Sequence, residues 1–489
     1  MSETPVSKPR SRPLGGLFRR ARRHPRAAAI TAAVTAVIVL GGGSLLAGAA
    51  VGSPDAPVSA RLSSSTSASA STTASPAPTQ TPTPTPTVRP VPAAAPAAQP
   101  VRTCSIAEAA SDARLGTFSG SVRNATTGEV LYDHAGGTYS RTASVMKVLT
   151  SAAALAVLGP DYRASTTVVA GAEPGQVVLV GGGDITLASG SGNVYPGSAS
   201  MLDLAAQVNA SLGGAPVTSI VLDSSAFAGD AWQPSWNRKE LFDGWSSEVT
   251  ALQVDGDRSN PSSSQSARSE DPIGRAGAAF ASALGATGAS ISSGQAPAGT
   301  ATLGQVQSAP VSTIVQDALL RSDNTEAEML ARLTAIAQGS GNTFSALGAS
   351  TPAALATYGL DTTGLVIVDG SGLSDDNGVS PNFLTALFAK IAAREGNLGI
   401  IADGLPVAGE SGTLAGRFDG SNSDAAGHVI AKTGWIDTGY TLSGIINAAD
   451  GSVLTFAFFA LDDVSDSSKE ALDTVTAAAY RCGNNLSNQ

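Results

Sequence analysis

Arg141-Thr142-Ala143-Ser144-Val145-Met146-Lys147-Val148-Leu149-Thr150 decides the reading of this chain, because a serine and a lysine stand three residues apart in it. A helix starting at Ser144 would put positions i and i+3 on one face, with the Lys147 amine one turn above the hydroxyl. That pairing supplies a nucleophile with its base. The residues that follow, from Val148 and Leu149 through Ala152, Ala153, Ala154, Leu155, Val157 and Leu158, are apolar around most of the circumference, the pattern of a helix buried on every side. Burial would lower the Lys147 pKa toward the working range of a general base. First-turn N–H groups lack intrahelical partners, so the Ser144 backbone N–H is free to donate to an oxyanion. In so serine-rich a chain a Ser-x-x-Lys arises readily by chance, and its company must decide the matter.

Two more motifs supply that company. Arg321-Ser322-Asp323-Asn324-Thr325-Glu326 separates an apolar helix ending near Leu320 from another running from Glu326 to about Ala337. Such a triplet can present Ser322 and Asn324 to one side, a hydroxyl to relay a proton and an amide to orient a substrate carbonyl; alone, it would be a capped helix start. His428-Val429-Ile430-Ala431-Lys432-Thr433-Gly434-Trp435 reads as a strand ending in a lysine, a hydroxyl and a glycine. Lys432 and Thr433 can bind a substrate carboxylate, and Gly434 leaves room for an extended peptide along the strand edge. The Trp435 backbone N–H is then the second oxyanion donor. From residue 101 onward the only lysines are Lys147, Lys239, Lys390, Lys432 and Lys469. One sits in the chain's single Ser-x-x-Lys and another in its single Lys-Thr-Gly, with Ser-Asp-Asn between them in the order acyl-serine chemistry uses.

With these motifs the sequence resembles the penicillin-binding proteins and serine β-lactamases, and more closely the penicillin-binding protein 4 or S13 branch of D-alanyl-D-alanine carboxypeptidases and endopeptidases. The long gap between Lys147 and Ser322 fits that branch, as do Val180-Gly-Gly-Gly-Asp-Ile-Thr-Leu187, Asp369-Gly-Ser-Gly-Leu-Ser374 and Leu405-Pro-Val-Ala-Gly409. The resemblance implies an α/β (α+β) fold, a transpeptidase/β-lactamase-like domain with an antiparallel sheet packed by helices. It places the catalytic domain at 101–162 plus 308–489 and a smaller inserted module at 163–307. It also implies an acyl-serine carboxypeptidase or endopeptidase acting on peptidoglycan stem peptides, with β-lactam antibiotics as covalent inhibitors and no metal or organic cofactor. The expected catalytic residues are Ser144, Lys147, Ser322, Asn324 and Lys432, with Thr433 and Gly434 binding substrate and the N–H groups of Ser144 and Trp435 forming the oxyanion hole. Trp435 departs from the branch, which carries a small hydroxyl residue there. The acidic residue that in the branch follows a tryptophan of the insert and recognises the diamino acid side chain is also displaced: Trp236 is followed by Asn237-Arg238-Lys239 before Glu240, so Glu240 and Asp243 are weak candidates for that role and read better as ordinary surface acids. A β-lactamase and a non-catalytic wall-binding scaffold are the rival readings.

The rest of the chain sets the compartment. A basic tail (1–26) precedes an uncharged segment (27–51) long enough to span a bilayer, with the positives on the cytoplasmic side. A Ser/Thr/Pro/Ala-rich tract (52–100), with Thr81-Pro-Thr-Pro-Thr-Pro-Thr87, cannot bury a core and reads as a disordered, extended linker. The expectation is a single-pass membrane protein with its catalytic domain outside, or a secreted one if the segment is cleaved. Outside the cytoplasm the only two cysteines, Cys104 and Cys482, read as one disulfide, the alternative being two free thiols. A net charge of −10 carried with a cationic N-terminal arm leaves the remainder strongly acidic, which speaks against nucleic acid as a partner. His134 and His428 sit in no nucleophile motif, and with two remote cysteines they make no recognisable zinc spacing.

Overall fold

Val453-Leu-Thr-Phe-Ala-Phe-Phe-Ala-Leu461 is apolar at nearly every position, and such a strand needs cover on both faces. The structure, a computed structural model that describes residues 101–488, gives it that cover. The strands are β1 (Thr117–Asn124), β2 (Val130–His134), β3 (Ser165–Ala170), β4 (Gln176–Gly181), β5 (Ser219–Asp223), β6 (Ser290–Ser293), β7 (Thr302–Gln307), β8 (Val429–Ile436), β9 (Gly439–Asn447) and β10 (Val453–Leu461). One antiparallel sheet runs β2-β1-β10-β9-β8. Because side chains alternate along a strand, Ala457, Phe459 and Leu461 of β10 join a core with Phe383, Leu384 and Phe388 of the Pro381–Ala392 helix. Leu454, Phe456 and Phe458 face the other way, onto Leu472 and Val475 of the Ser467–Cys482 helix.

The second sheet, β6-β5-β4-β3-β7, is mixed. β3 pairs antiparallel with β4 and β7, whereas β4–β5 and β5–β6 are parallel and joined through the Met201–Leu212 and Pro272–Leu284 helices. These helices share a separate core with the sheet, built on Val168, Leu179, Leu204, Ile220 and Phe280.

The Met146–Val157 helix is buried at every position from Met146 to Leu155. It lies among the Val311–Arg321, Asn324–Ala337 and Leu347–Ala356 helices, on the same side of the antiparallel sheet as Pro381–Ala392. The α-helix does not begin at Ser144 as the sequence suggests: Ala143–Val145 form a 3-10 turn and the α-helix starts at Met146. Cys104 and Cys482 form a disulfide with Cα atoms 5.5 Å apart, joining the first described segment to the end of the last long helix. The expected tail, membrane segment and linker (1–100) lie outside the described residues. Among the described residues no helix is long and apolar enough to cross a membrane.

Candidate active site

The Ser144 turn is clamped to the sheet. Thr441 Oγ1 on β9 donates to the Thr142 carbonyl at 2.7 Å, and Ala143 is held at φ 45°, a region non-glycine residues rarely occupy. Gly434 and Gly372 make room for this turn. A Cβ at Gly434 would overlap Thr441 Oγ1 and lie 2.8 Å from the Thr142 carbonyl oxygen, and one at Gly372 would overlap the Ala143 carbonyl. The missing side chain of Gly434 therefore clears the nucleophile's own turn, whereas the sequence reading had it clearing a substrate backbone.

Lys147 Nζ lies 2.9 Å from Ser144 Oγ and donates to Asn324 Oδ1 at 2.6 Å and to the Ser371 carbonyl at 2.8 Å. With two N–H bonds fixed on those acceptors, the neutral amine has its lone pair left for the serine hydroxyl. Burial brings the Lys147 pKa down to about 8, against the opposing pull of Glu328, Asp369 and Asp323. Lys432, also fully buried, donates to Ser322 Oγ at 2.9 Å and to the Thr433 carbonyl at 2.8 Å. Its pKa falls well below the usual lysine value through burial and then through repulsion by Lys147.

The Ser-Asp-Asn triplet is built by one helix ending and another beginning. Ser322 caps the Val311–Arg321 helix in the left-handed conformation, φ 61°, and Asp323 caps the next by accepting from the Glu326 N–H at 3.0 Å. Burial would raise the Asp323 pKa, but Arg258, with which it is ion-paired, and Arg268 outweigh it and hold the carboxyl at about 2. Ser322 thus reaches Lys432 while Asn324 reaches Lys147. The Asn324 amide is already engaged, its Nδ2 donating to the Trp245 carbonyl at 3.1 Å, which leaves one N–H for a substrate carbonyl.

Sequence reasoning missed the group behind Lys147. Asp369 accepts from the N–H groups of Gly372 (2.8 Å) and Ser374 (2.7 Å), from Asn377 Nδ2 (2.8 Å) and from Trp236 Nε1 (2.8 Å). Buried Glu328 accepts from the N–H groups of Gly370 (3.0 Å) and Ser371 (2.7 Å), and burial together with Asp369 pushes its pKa up. The two carboxyls tighten residues 369–377 into a turn that aims the Ser371 carbonyl at the amine. The Asp369–Ser374 motif was the available signal, but a backbone carbonyl leaves no mark in a sequence.

A cleft of about 370 Å³ opens over these groups, lined by Ser144, Ser322, Asn324, Thr433, Trp245 and Trp435 among others. Strand β8 forms one wall. Its outer edge is paired as far as Ala431, whose N–H donates to the Pro406 carbonyl at 2.9 Å, through the Leu405–Gly409 motif. Residues two apart on a strand direct their N–H groups alike, so the Thr433 and Trp435 N–H groups face the same, now open, edge. The Thr433 hydroxyl lies 2.7 Å from that of Thr413. Glu240, read from sequence as a surface acid, lines the cleft, and its pKa is raised by burial and by Asp437 and Asp243; Asp243 does not line it. His134 lies beside Phe118 with the rings tilted and His428 stacks on Tyr480, and neither histidine lines the cleft. Among the described residues no group of three His, Cys, Asp or Glu side chains is placed to hold a metal ion.

The model of the D-Ala-D-Ala carboxypeptidase 3 (S13) family matches residues 103–267 and 257–479. Carboxypeptidase Rv3627c of Mycobacterium tuberculosis is 36% identical over 389 residues, covering 78% of this chain and 84% of that protein. Carboxypeptidase DacB of Mycolicibacterium smegmatis gives the same identity and coverage. The crystal structure of penicillin binding protein 4 (dacB) from Haemophilus influenzae shares the fold, with a TM-score of 0.61 at 21% identity over 74% of this chain and 95% of that one.

Proposed function

This chain belongs to the D-Ala-D-Ala carboxypeptidase 3 (S13) family, and from that premise we propose that Ser144 is the nucleophile, Lys147 its base and the Ser322–Lys432 pair the proton relay of its reaction. The chain is a serine-type D-Ala-D-Ala carboxypeptidase, a hydrolase. Lys147 takes the Ser144 proton as Oγ attacks the carbonyl of the penultimate D-Ala, and the N–H groups of Ser144 and Trp435 hold the oxyanion. As the C–N bond breaks, Ser322 gives its proton to the leaving amine, and the proton that Lys147 took from Ser144 is passed to Ser322 to replace it, which leaves Lys147 neutral again. Water then opens the acyl ester, giving a proton to Lys147, which returns it to Ser144 Oγ as the acyl group leaves. Thr433 and Thr413 are proposed to hold the carboxylate of the leaving residue.

The substrate follows from the family: stem peptides of peptidoglycan ending in D-Ala-D-Ala. A β-lactam presents a strained amide to the same serine and would remain as a stable ester. Residues 163–307 are proposed to form a module inserted into a catalytic domain of 101–162 plus 308–489, a reading supported by the second sheet running from Ser165 to Gln307. The substrate and the disulfide support a site outside the cytoplasm, and the uncharged segment 27–51 supports anchoring there.

The observation that carries the mechanism is the buried Lys147 amine 2.9 Å from Ser144 Oγ with two fixed acceptors behind it. It is tested by labelling the protein with a fluorescent penicillin beside Ser144→Ala and timing release of the label. A label lost in the variant and retained for many minutes in the parent is expected. Rapid release with antibiotic turnover would mark a β-lactamase, and a folded parent that takes no label would overturn the mechanism.

A further inference from the structure

Trp435 and Trp245 stand out at the cleft as large apolar side chains left 48% and 41% exposed. They are not loose. The two rings meet edge to face with centroids 6.2 Å apart, and on its other side Trp435 stacks on Tyr440 at 6.4 Å. Tyr440 is buried, its hydroxyl donates to Asp466 at 2.9 Å, and Lys469, bound to the same carboxylate at 2.9 Å, covers its ring at 5.3 Å. The Trp435 indole is thus held from both sides and cannot swing away from the cleft without breaking a stack anchored in the C-terminal helix.

The position of that stack sets its consequence. Thr433 and Trp435 are two residues apart on β8, so their side chains share a face about 7 Å apart. The Trp245 ring meets Trp435 at the end of the strand edge that is open from Thr433 onward. With the leaving residue's carboxylate at Thr433 and Thr413, the next space along the row is filled by indole. The cleft, at about 370 Å³, is near the small end of the range for ligand sites, roughly 300–1,000 Å³.

We infer that the Trp245–Trp435–Tyr440 stack is a fixed wall bounding the leaving-group side of the cleft, so that the enzyme releases a single terminal D-Ala and rejects a leaving group that is itself a branched, cross-linked peptide. This rests on the acyl-serine reading above and assigns Trp245 and Trp435 as specificity-determining residues. A carboxylate and a methyl fit beside the wall, whereas a diamino acid carrying a second peptide must pass through it.

The test measures kcat/KM for an acyl-D-Ala-D-Ala peptide and for a peptide dimer cross-linked through a diamino acid side chain, in the full chain and in Trp435→Ala and Trp245→Ala. The parent is expected to prefer the linear peptide, and each variant to shift the ratio toward the dimer by on the order of 10–100-fold. A general loss of activity lowers both values and leaves the ratio alone, so a purely structural role of the stack gives an unchanged ratio and overturns the inference. A parent that already cuts the dimer as readily overturns it too. If Trp435→Ala fails to take penicillin, Trp245→Ala, which keeps the backbone carbonyl that holds Asn324, decides by the same ratio. A parent that takes no penicillin and cuts neither peptide would instead overturn the acyl-serine mechanism itself.

Discussion

At the scale of single residues, the site depends on two lysines kept short of protons. Lys147 acts as a base only when neutral, and its pKa is brought down to about 8, so the penicillin acylation rate should climb with pH and level off above about 8. A stopped-flow profile between pH 6 and 10 checks this, and a rate flat across that range would contradict it. Lys147→Arg replaces the base with a cation that does not deprotonate and should slow acylation by about 10²–10⁴-fold, with the melting temperature reported alongside. Gly434→Ala tests steric rather than proton chemistry. Its Cβ would overlap Thr441 Oγ1 and crowd the Thr142 carbonyl, so both thermal stability and acylation should fall. If the glycine instead served only to clear a substrate backbone, the variant would melt like the parent.

At the scale of elements, the turn of residues 369–377 is tied to the reaction through the Ser371 carbonyl. Asp369→Asn keeps the shape but turns one carboxylate oxygen into an NH2 that faces two N–H donors, those of Gly372 and Asn377 or those of Ser374 and Trp236, so the Ser371 carbonyl should shift and acylation fall by on the order of 10²-fold. Acylation kinetics beside the far-UV dichroism distinguish a displaced turn from an unfolded chain. The elements read best from sequence are those with a local physical signal. Ser219–Asp223, a run of β-branched and apolar residues, forms a strand, and Pro272–Leu284, opened by the Asp271 cap and a proline, forms a helix. Ser290–Ser293, exposed at all four positions, has no apolar alternation and becomes a strand only because β5 offers its edge. Lys239–Asp243 is a single helical turn, too short for periodicity to show in the sequence. The three motifs that carry the chemistry were legible because each needs particular side chains. The Ser371 carbonyl and the packing role of Gly434 were not, because they depend on where distant backbone atoms meet.

For the whole molecule, the ends of the folded region are brought together. Arg102 Nε donates to the Asn484 carbonyl at 2.9 Å, and Cys104 bridges alongside Leu486. The Cys104–Cys482 bond spans 378 residues, so in the chain-entropy account its removal should cost about 6 kcal/mol. A Cys104→Ala/Cys482→Ala double variant should melt lower than the parent in calorimetry yet still take penicillin at low temperature, since neither cysteine lines the cleft. An unchanged melting point would leave the bond without a stabilising part. The same bond gives the protein the topology of a covalent ring. A protease that severs one exposed loop anywhere between the two cysteines opens the ring without releasing a fragment. Such a nicked enzyme would stay a single covalent molecule on a non-reducing gel and come apart only when reductant is added.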